Sequence, residues 1–211
     1  MTVDEGLLLA TVDDAFATSA AGLRAWVDPH PDRMPADEEY SRCLDPGKYR
    51  MVGARADAWL MAVERLGLAA VSTDVKVMWS QPPGTRITRT AVARPAAQGA
   101  IAMVVARSRI GDVADAGVVI GAGSPAVSCA ALPECGCDAC DSGSQDLLDE
   151  LDEMVHSVIS GRFRRLTRGR REITVRSQGG WSASGNFRRG EVESIVTNPV
   201  GWAETSGAPW S

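Results

Sequence analysis

Three of the five cysteines fall within six residues, in the run Cys135-Gly136-Cys137-Asp138-Ala139-Cys140-Asp141. Thiolate sulfur is both a metal ligand and a nucleophile, so this run is where the chain has the means for chemistry. Cys137 and Cys140 form a Cys-x-x-Cys pair, the usual half of a zinc knuckle, and Cys135 supplies a third ligand. A structural zinc site normally has four; Cys129, Asp141 and His156 are the candidates for the fourth, with His156 the least convenient. Two readings stand beside zinc. The cysteines can be small structural residues, reduced or joined as a disulfide between Cys140 and Cys135 or Cys137, or one of them can be a redox or catalytic thiol. The lack of an evident fourth ligand moves the weight from a zinc site toward a structural staple.

The elements around the run set its electrostatics. Ser142-Gly143-Ser144-Gln145 has the spacing of a capping box, which predicts a helix starting near Ser142 and ending at Gly161. Leu147, Leu148, Leu151, Met154, Val155, Val158 and Ile159 would line its buried face, and Asp146, Asp149, Glu150, Asp152 and Glu153 crowd its first turns. Cys137 and Cys140 then lie just outside a helix N-terminus, whose exposed donors and positive dipole end favour thiolate over thiol. Asp138 and Asp141 oppose that effect, and a bound Zn²⁺ would relieve the repulsion. Catalytic histidine is scarce: the chain has two, His156 and His30, the latter in the rigid Pro29-His30-Pro31. Cys43 stands alone and reads as a core residue.

Two helices precede this region. Leu8, Val12, Phe16, Leu23 and Trp26 predict an amphipathic helix from Leu7 to Val27, closed by the Pro-rich stretch 28–37. Asp45 as N-cap, Pro46 at the first helical position and Gly67 as stop predict a second helix, with Val52, Ala56, Trp59, Val63 and Leu66 on its buried face. Alternation from Val71 to Trp79 predicts a half-buried strand, with Thr85 to Ala93 as its antiparallel partner across the Pro82-Pro83-Gly84 turn. The continuous apolar runs Ala100–Ala106 and Val118–Ala122 predict strands covered on both faces at the sheet centre. Gly121-Ala122-Gly123-Ser124-Pro125 lacks the third glycine of a nucleotide fingerprint and reads as a strand-ending turn. The expected fold is α+β: a mainly antiparallel sheet against about three helices, in one domain spanning residues 1–211. Its parts are helical 1–68, strand-rich 69–132, the cysteine loop and helix 133–161, and a basic strand-rich end 162–211.

Charge is segregated. Ile110 to Gly161 holds ten acidic residues and no Lys or Arg, whereas Arg162 to Arg189 holds nine Arg against Glu172 alone. Arg162, Arg164, Arg165, Arg168, Arg170 and Arg171 beside Phe163 have the types to meet phosphate or a stacked base. A net charge of −5 argues against a nucleic-acid partner, and the preferred expectation is a basic hairpin neutralised by the preceding acidic helix. Trp181, Trp202 and Trp210 in the Gly-rich end either line a groove for a ligand or partner or staple the tail onto the core.

Length and composition bound the rest. With 211 residues, 45% of them hydrophobic, the chain can bury a full core. No stretch approaches a membrane span. Met1 to Gly6 carries Asp4 and Glu5 without a basic residue, unlike a secretory signal, so a cytoplasmic location is expected.

Three blocks carry a family likeness: Asp45-Pro46-Gly47-Lys48-Tyr49-Arg50 with the helix through Trp59, the segment Cys135 to Ser144, and the tail Gly201-Trp202-Ala203-Glu204 through Gly207-Ala208-Pro209-Trp210. Together they resemble an uncharacterised actinobacterial domain-of-unknown-function family, DUF6226-like, across most of the chain. The resemblance implies a single-domain bacterial protein and no reaction. The expected function is a non-enzymatic ligand- or partner-binding domain with a cysteine-rich structural loop. The alternative is a small thiol- or metal-dependent enzyme using Cys137 or Cys140, with arginines holding an anionic substrate.

Overall fold

Apolar periodicity places the core helix first. In the computed structural model, which describes residues 4–176 and 180–211, the helix α2 (Arg50–Arg65) buries Val52, Ala56, Trp59 and Val63 completely. It ends as expected at Gly67: the Leu68 N–H reaches the Val63 carbonyl (2.9 Å) and the Gly67 N–H that of Glu64 (3.0 Å), a Schellman closure. Its start differs from expectation. Asp45 makes no cap bond, Pro46–Tyr49 forms a separate 3₁₀ turn, and the α-helix begins only at Arg50. The first helix, α1 (Glu5–Ser19), is capped by the Asp4 carboxylate, which accepts the Gly6 N–H at 2.7 Å. It stops eight residues short of Val27. Leu23 and Trp26 lie in the irregular chain beyond it, because Trp26 is held by the cysteine loop instead.

The first sheet has strand order β1-β2-β3-β4-β5, all antiparallel: β1 (Ala69–Thr73), β2 (Ile87–Pro95), β3 (Met103–Ile110), β4 (Val113–Ala122) and β5 (Val127–Leu132). The apolar runs are its interior strands, as expected. Alternate side chains serve two cores. Met103, Val105, Val118 and Ile120 face the helices, while Val104, Ala106 and Val119 face the opposite side. That second face explains why the alternation from Val71 to Trp79 misleads. The strand ends at Thr73, Asp74 takes a φ of 54°, and Val75, Val77 and Trp79 instead cross the outer face and cover Val92, Val104 and Val119. Residues 74–86 therefore form a covering segment between β1 and β2 rather than a tight hairpin turn. Gly123, between β4 and β5, confirms the strand-ending turn.

A third helix, α3 (Ser144–Ile159), packs its apolar stripe on α2 and the first sheet. Electrostatics lock the three helices together. The buried Arg55 guanidinium binds Asp152 of α3 (2.6–3.1 Å) and Asp13 of α1 (2.7 Å), and the Trp59 indole N–H donates to Asp152 at 2.6 Å. Part of the acidity of α3 is thus spent inside the fold.

The basic end forms a second antiparallel sheet, β8-β7-β6-β9, from β6 (Arg164–Arg168), β7 (Arg171–Val175), β8 (Trp181–Ser184) and β9 (Ala203–Ser206), with a short helix α4 (Glu191–Thr197). This fourth helix lies in the end expected to be strand-rich. Leu166, Ile173 and Val192 make its own small core. Its arginines find partners mostly within the unit: Arg164–Glu204 (2.9 Å), Arg165–Glu172 (2.5 Å) and Arg171–Glu191 (2.5 Å). Arg176–Glu153, at 3.9 Å, reaches α3. The expected neutralisation by the preceding helix is therefore largely replaced by glutamates that fold back within residues 172–204.

The tail closes over the main core. Trp210 is 2% exposed, and its backbone N–H reaches the Ile159 carbonyl at 2.9 Å. Gly161 ends α3 at φ +70°, and a Cβ there would lie 2.6 Å from the Pro209 nitrogen. Gly161→Ala therefore combines left-handed strain with a clash against backbone and is expected to cost about 2 kcal/mol or more. Gly111→Ala, at φ +54° with nothing near its Cβ, is expected to cost only about 1 kcal/mol. Equal urea midpoints for the two variants would contradict this packing.

Acid should loosen the second sheet. The Arg188 N–H and the Arg171 guanidinium hold the Glu191 carboxyl below its usual range, and the Arg164 guanidinium does the same for Glu204. A depressed folded pKa contributes stability that is complete above the unfolded value of about 4.3 and is lost as pH falls below it. The urea midpoint is expected to drop between about pH 5 and about pH 2.5, as these carboxylates are protonated, and Glu204→Gln to narrow that drop; an identical drop in the variant would count against the Arg164–Glu204 contribution.

Candidate metal centre

The cysteine run leaves β5 at Leu132, forms a short 3₁₀ turn over Asp138–Cys140 and enters α3 at Ser144. This geometry gathers the sulfurs. The Sγ atoms of Cys135, Cys137 and Cys140 all lie within 4.8 Å of one another, and Cys135 and Cys137 approach to 3.1 Å. All five cysteines are free thiols, since a disulfide needs about 2.05 Å between sulfurs. Sulfurs around a tetrahedral zinc, with bonds of about 2.3 Å, stand about 3.8 Å apart, so small adjustments would bring the trio into a ligand set.

Three polar residues of the run fix its shape. Asp138 accepts the Leu44 N–H (3.1 Å) and the Arg42 Nε–H (3.2 Å), while its own N–H donates to the Arg42 carbonyl (2.8 Å). The Asp141 side chain is almost fully buried and accepts from Lys48 Nζ (2.5 Å), the Trp26 indole (2.8 Å) and the Gly143 N–H (3.0 Å). The expected capping box of Ser142 and Gln145 does not form: the helix starts two residues later and the Gln145 amide donates to Asp149 instead (2.8 Å). The Ser144 N–H and hydroxyl both bond the Trp26 carbonyl at 3.0 Å, and Gly143, at φ +91°, takes the N-cap position without a side-chain bond. A Cβ on Gly143 would sit 2.7 Å from the Asp28 nitrogen, and one on Gly136 2.7 Å from Ile110 Cγ2. The loop is thus seated on residues 26–28, 42–48 and the end of β3 before any ion is considered.

The Lys48 ammonium lies between the Trp26 and Tyr49 rings, 5.4 and 5.1 Å from their centroids, and the rings meet edge to face at 5.6 Å. Burial opposes ionisation of Asp141, but the Lys48, Trp26 and Gly143 hydrogen bonds prevail and keep its pKa below the usual range. Burial pushes the Tyr49 phenol well above its ordinary value, so it stays neutral. Among the sulfurs, the hydrogen bond from Cys135 lowers the Cys137 thiol, while the bond to Cys137 pushes Cys140 up to about 12. Without an ion, the loop therefore favours thiolate on Cys137 over Cys140.

None of the proposed fourth ligands joins the trio. Cys129 faces the main core from β5, and burial drives its pKa far upward. His156 lies on α3 against Glu5, with 3.3 Å between Nε2 and Oε1. Asp141 is committed to Lys48 and Trp26. Cys43 is half-buried against the core, as expected, and its pKa is raised by burial and then by Asp138. His30 is buried beside Glu39 (3.3 Å), whose carboxylate also binds Arg33 in a fork with both distances 3.0 Å.

The three tryptophans have different surroundings. Trp210 is in the main core, and Trp202 stacks on Phe187 at 6.1 Å under Arg171. Trp181 is 41% exposed on the edge strand β8. What sequence reasoning missed was the seat of the loop: Trp26, Arg42 and Lys48 lie 93 or more residues before their aspartate partners, and no local pattern announces such pairs.

Asp141→Asn removes the buried counter-charge of Lys48 and is expected to cost about 3 kcal/mol, as for one partner taken from a buried pair. It should also release the loop, so that the three thiols react faster with a thiol reagent in the folded protein. Unchanged stability and thiol rates would show that Asp141 does not organise the site.

No curated protein and no solved structure matches the chain. The DUF6226 model, described as a family of unknown function, matches residues 12–211 and so takes in the loop, its seat and the tail; the chain belongs to that family.

Proposed function

We propose that the protein is a non-enzymatic binding domain whose cysteine loop holds one thiophilic metal ion, zinc foremost, on Cys135, Cys137 and Cys140. The observation that carries this reading is the mutual approach of three sulfurs, all within 4.8 Å, on a loop held from outside by Asp138, Asp141 and Ser144. Three thiolates in one place repel one another, and a divalent cation converts that repulsion into binding. The residues around them supply orientation: Arg42 reaches Asp138 and also Glu39 (3.5 Å), joining the loop to the Arg33–Glu39 pair. Neither histidine joins the sulfur trio, which leaves the thiols without an imidazole base beside them and supports binding over catalysis.

One observation favours the second reading, a thiol-dependent enzyme: the Cys137 thiol is the one held toward thiolate. The two readings separate in one experiment. Protein purified without chelator is expected to carry one zinc per chain, with three thiols that react only after chelation or denaturation. An ion present at 100 times its Kd contributes about 2.7 kcal/mol, so chelation should lower Tm by about 5–10 °C while leaving a folded protein. Cys137→Ser should abolish both the zinc and the Tm response to chelator. Metal-free protein with a single fast-reacting thiol would sink the metal reading and favour the enzyme.

A further inference from the structure

We infer that a metal ion on the three cysteines has a fourth coordination position open to a donor from outside the chain, and that this position favours a neutral donor, an imidazole above all. The inference rests on the three-thiolate reading and extends it to what the site binds. All five cysteines and both histidines are among the described residues, and only Cys135, Cys137 and Cys140 come together. Cys129 and Cys43 are turned to the core, and His30 and His156 lie elsewhere, beside Glu39 and Glu5. Asp138 and Asp141, the nearest acids in the run, already accept from Arg42, the Leu44 N–H, Lys48 and Trp26.

Access is provided on the outer side. Cys135 and Cys140 are exposed, and a cleft of about 390 Å³ opens beside the loop, lined by Ile110, Leu132, Glu134 and Gly136 among others. Cys135 is bracketed by two of those lining residues. Charge then selects the donor. Three thiolates and one Zn²⁺ sum to −1, so an anionic fourth ligand is disfavoured at the metal itself, while Glu134 and Arg109, both lining the cleft, offset each other. A neutral nitrogen donor displaces a bound water, creates no new charge and completes the Cys₃His set that zinc adopts in stable sites. Such a ring can arrive as a small molecule or as a histidine side chain of another protein, and the chemistry at the metal is the same.

Cobalt(II) reports the coordination directly. Loaded into the whole protein, it is expected to show sulfur charge-transfer bands and tetrahedral d–d bands. Imidazole should shift the d–d bands to saturation at one per chain without reducing the charge transfer, at a concentration about tenfold below that needed for thiocyanate. A short histidine-containing peptide binding as imidazole does would identify the ring itself as what is read; tighter binding would point to a protein donor. Cys43→Ser should leave the spectrum unchanged. Bands that do not respond to imidazole, or charge transfer that weakens in Cys43→Ser, would overturn the open position while leaving the metal site standing. No sulfur charge transfer at all would instead remove the three-thiolate reading on which it rests.

Discussion

The buried Asp141 carboxylate is the constraint on which the candidate site depends. A carboxylate with its side chain 1% exposed has lost its water and must be compensated inside the protein. Lys48, Trp26 and the Gly143 N–H provide that compensation, and each comes from a different place: the turn before α2, the irregular chain after α1, and the start of α3 itself. Satisfying one charge therefore fixes three segments at once. It explains why α1 stops where it does, since Trp26 cannot both continue a helical face and bring its indole to Asp141. It also brings the Trp26 backbone within reach of Ser144, whose N–H and hydroxyl both bond the Trp26 carbonyl.

Support and chemistry are divided along the loop. The three cysteines bring their sulfurs together, while the intervening Asp138 and the following Asp141 tie the backbone to the body of the protein. A loop held in this way needs no ion to keep its course, in contrast to small zinc modules that are unfolded without metal. An ion bound here gains from preorganisation, because the entropy of gathering the ligands has been met by the fold. The Arg33–Glu39–Arg42–Asp138 chain of ion pairs extends this support outward and joins the loop to the segment carrying His30.

Much of the fold was legible because it rests on local pattern. The stripe of Val52, Ala56, Trp59 and Val63, the Gly67 and Gly161 stops and the unbroken apolar runs of β3 and β4 each reflect burial that a short window of sequence records. Val75, Val77 and Trp79 show the limit of that logic. A segment lying over a sheet alternates as a strand does, since one side of it is buried, although it pairs with little besides the Trp79–Ala126 bridge. The cysteine cluster was legible as a cluster because its spacing is short. Its seat was not, because the Lys48–Asp141 and Arg42–Asp138 pairs are set by tertiary packing. The same holds for the arginines: their proximity in sequence to an acidic helix suggested one partner, whereas antiparallel pairing brings Glu172 and Glu204 to them and the start of α4 brings Glu191.

Zinc-edge X-ray absorption on the protein as purified tests the central claim most directly, because it counts the atoms bound to the metal. Three sulfurs at about 2.3 Å and one lighter atom at about 2.0–2.1 Å are expected. Four sulfurs would place Cys43 or Cys129 in the ligand set, and a shell of oxygen and nitrogen alone would show that Cys135, Cys137 and Cys140 do not hold the ion.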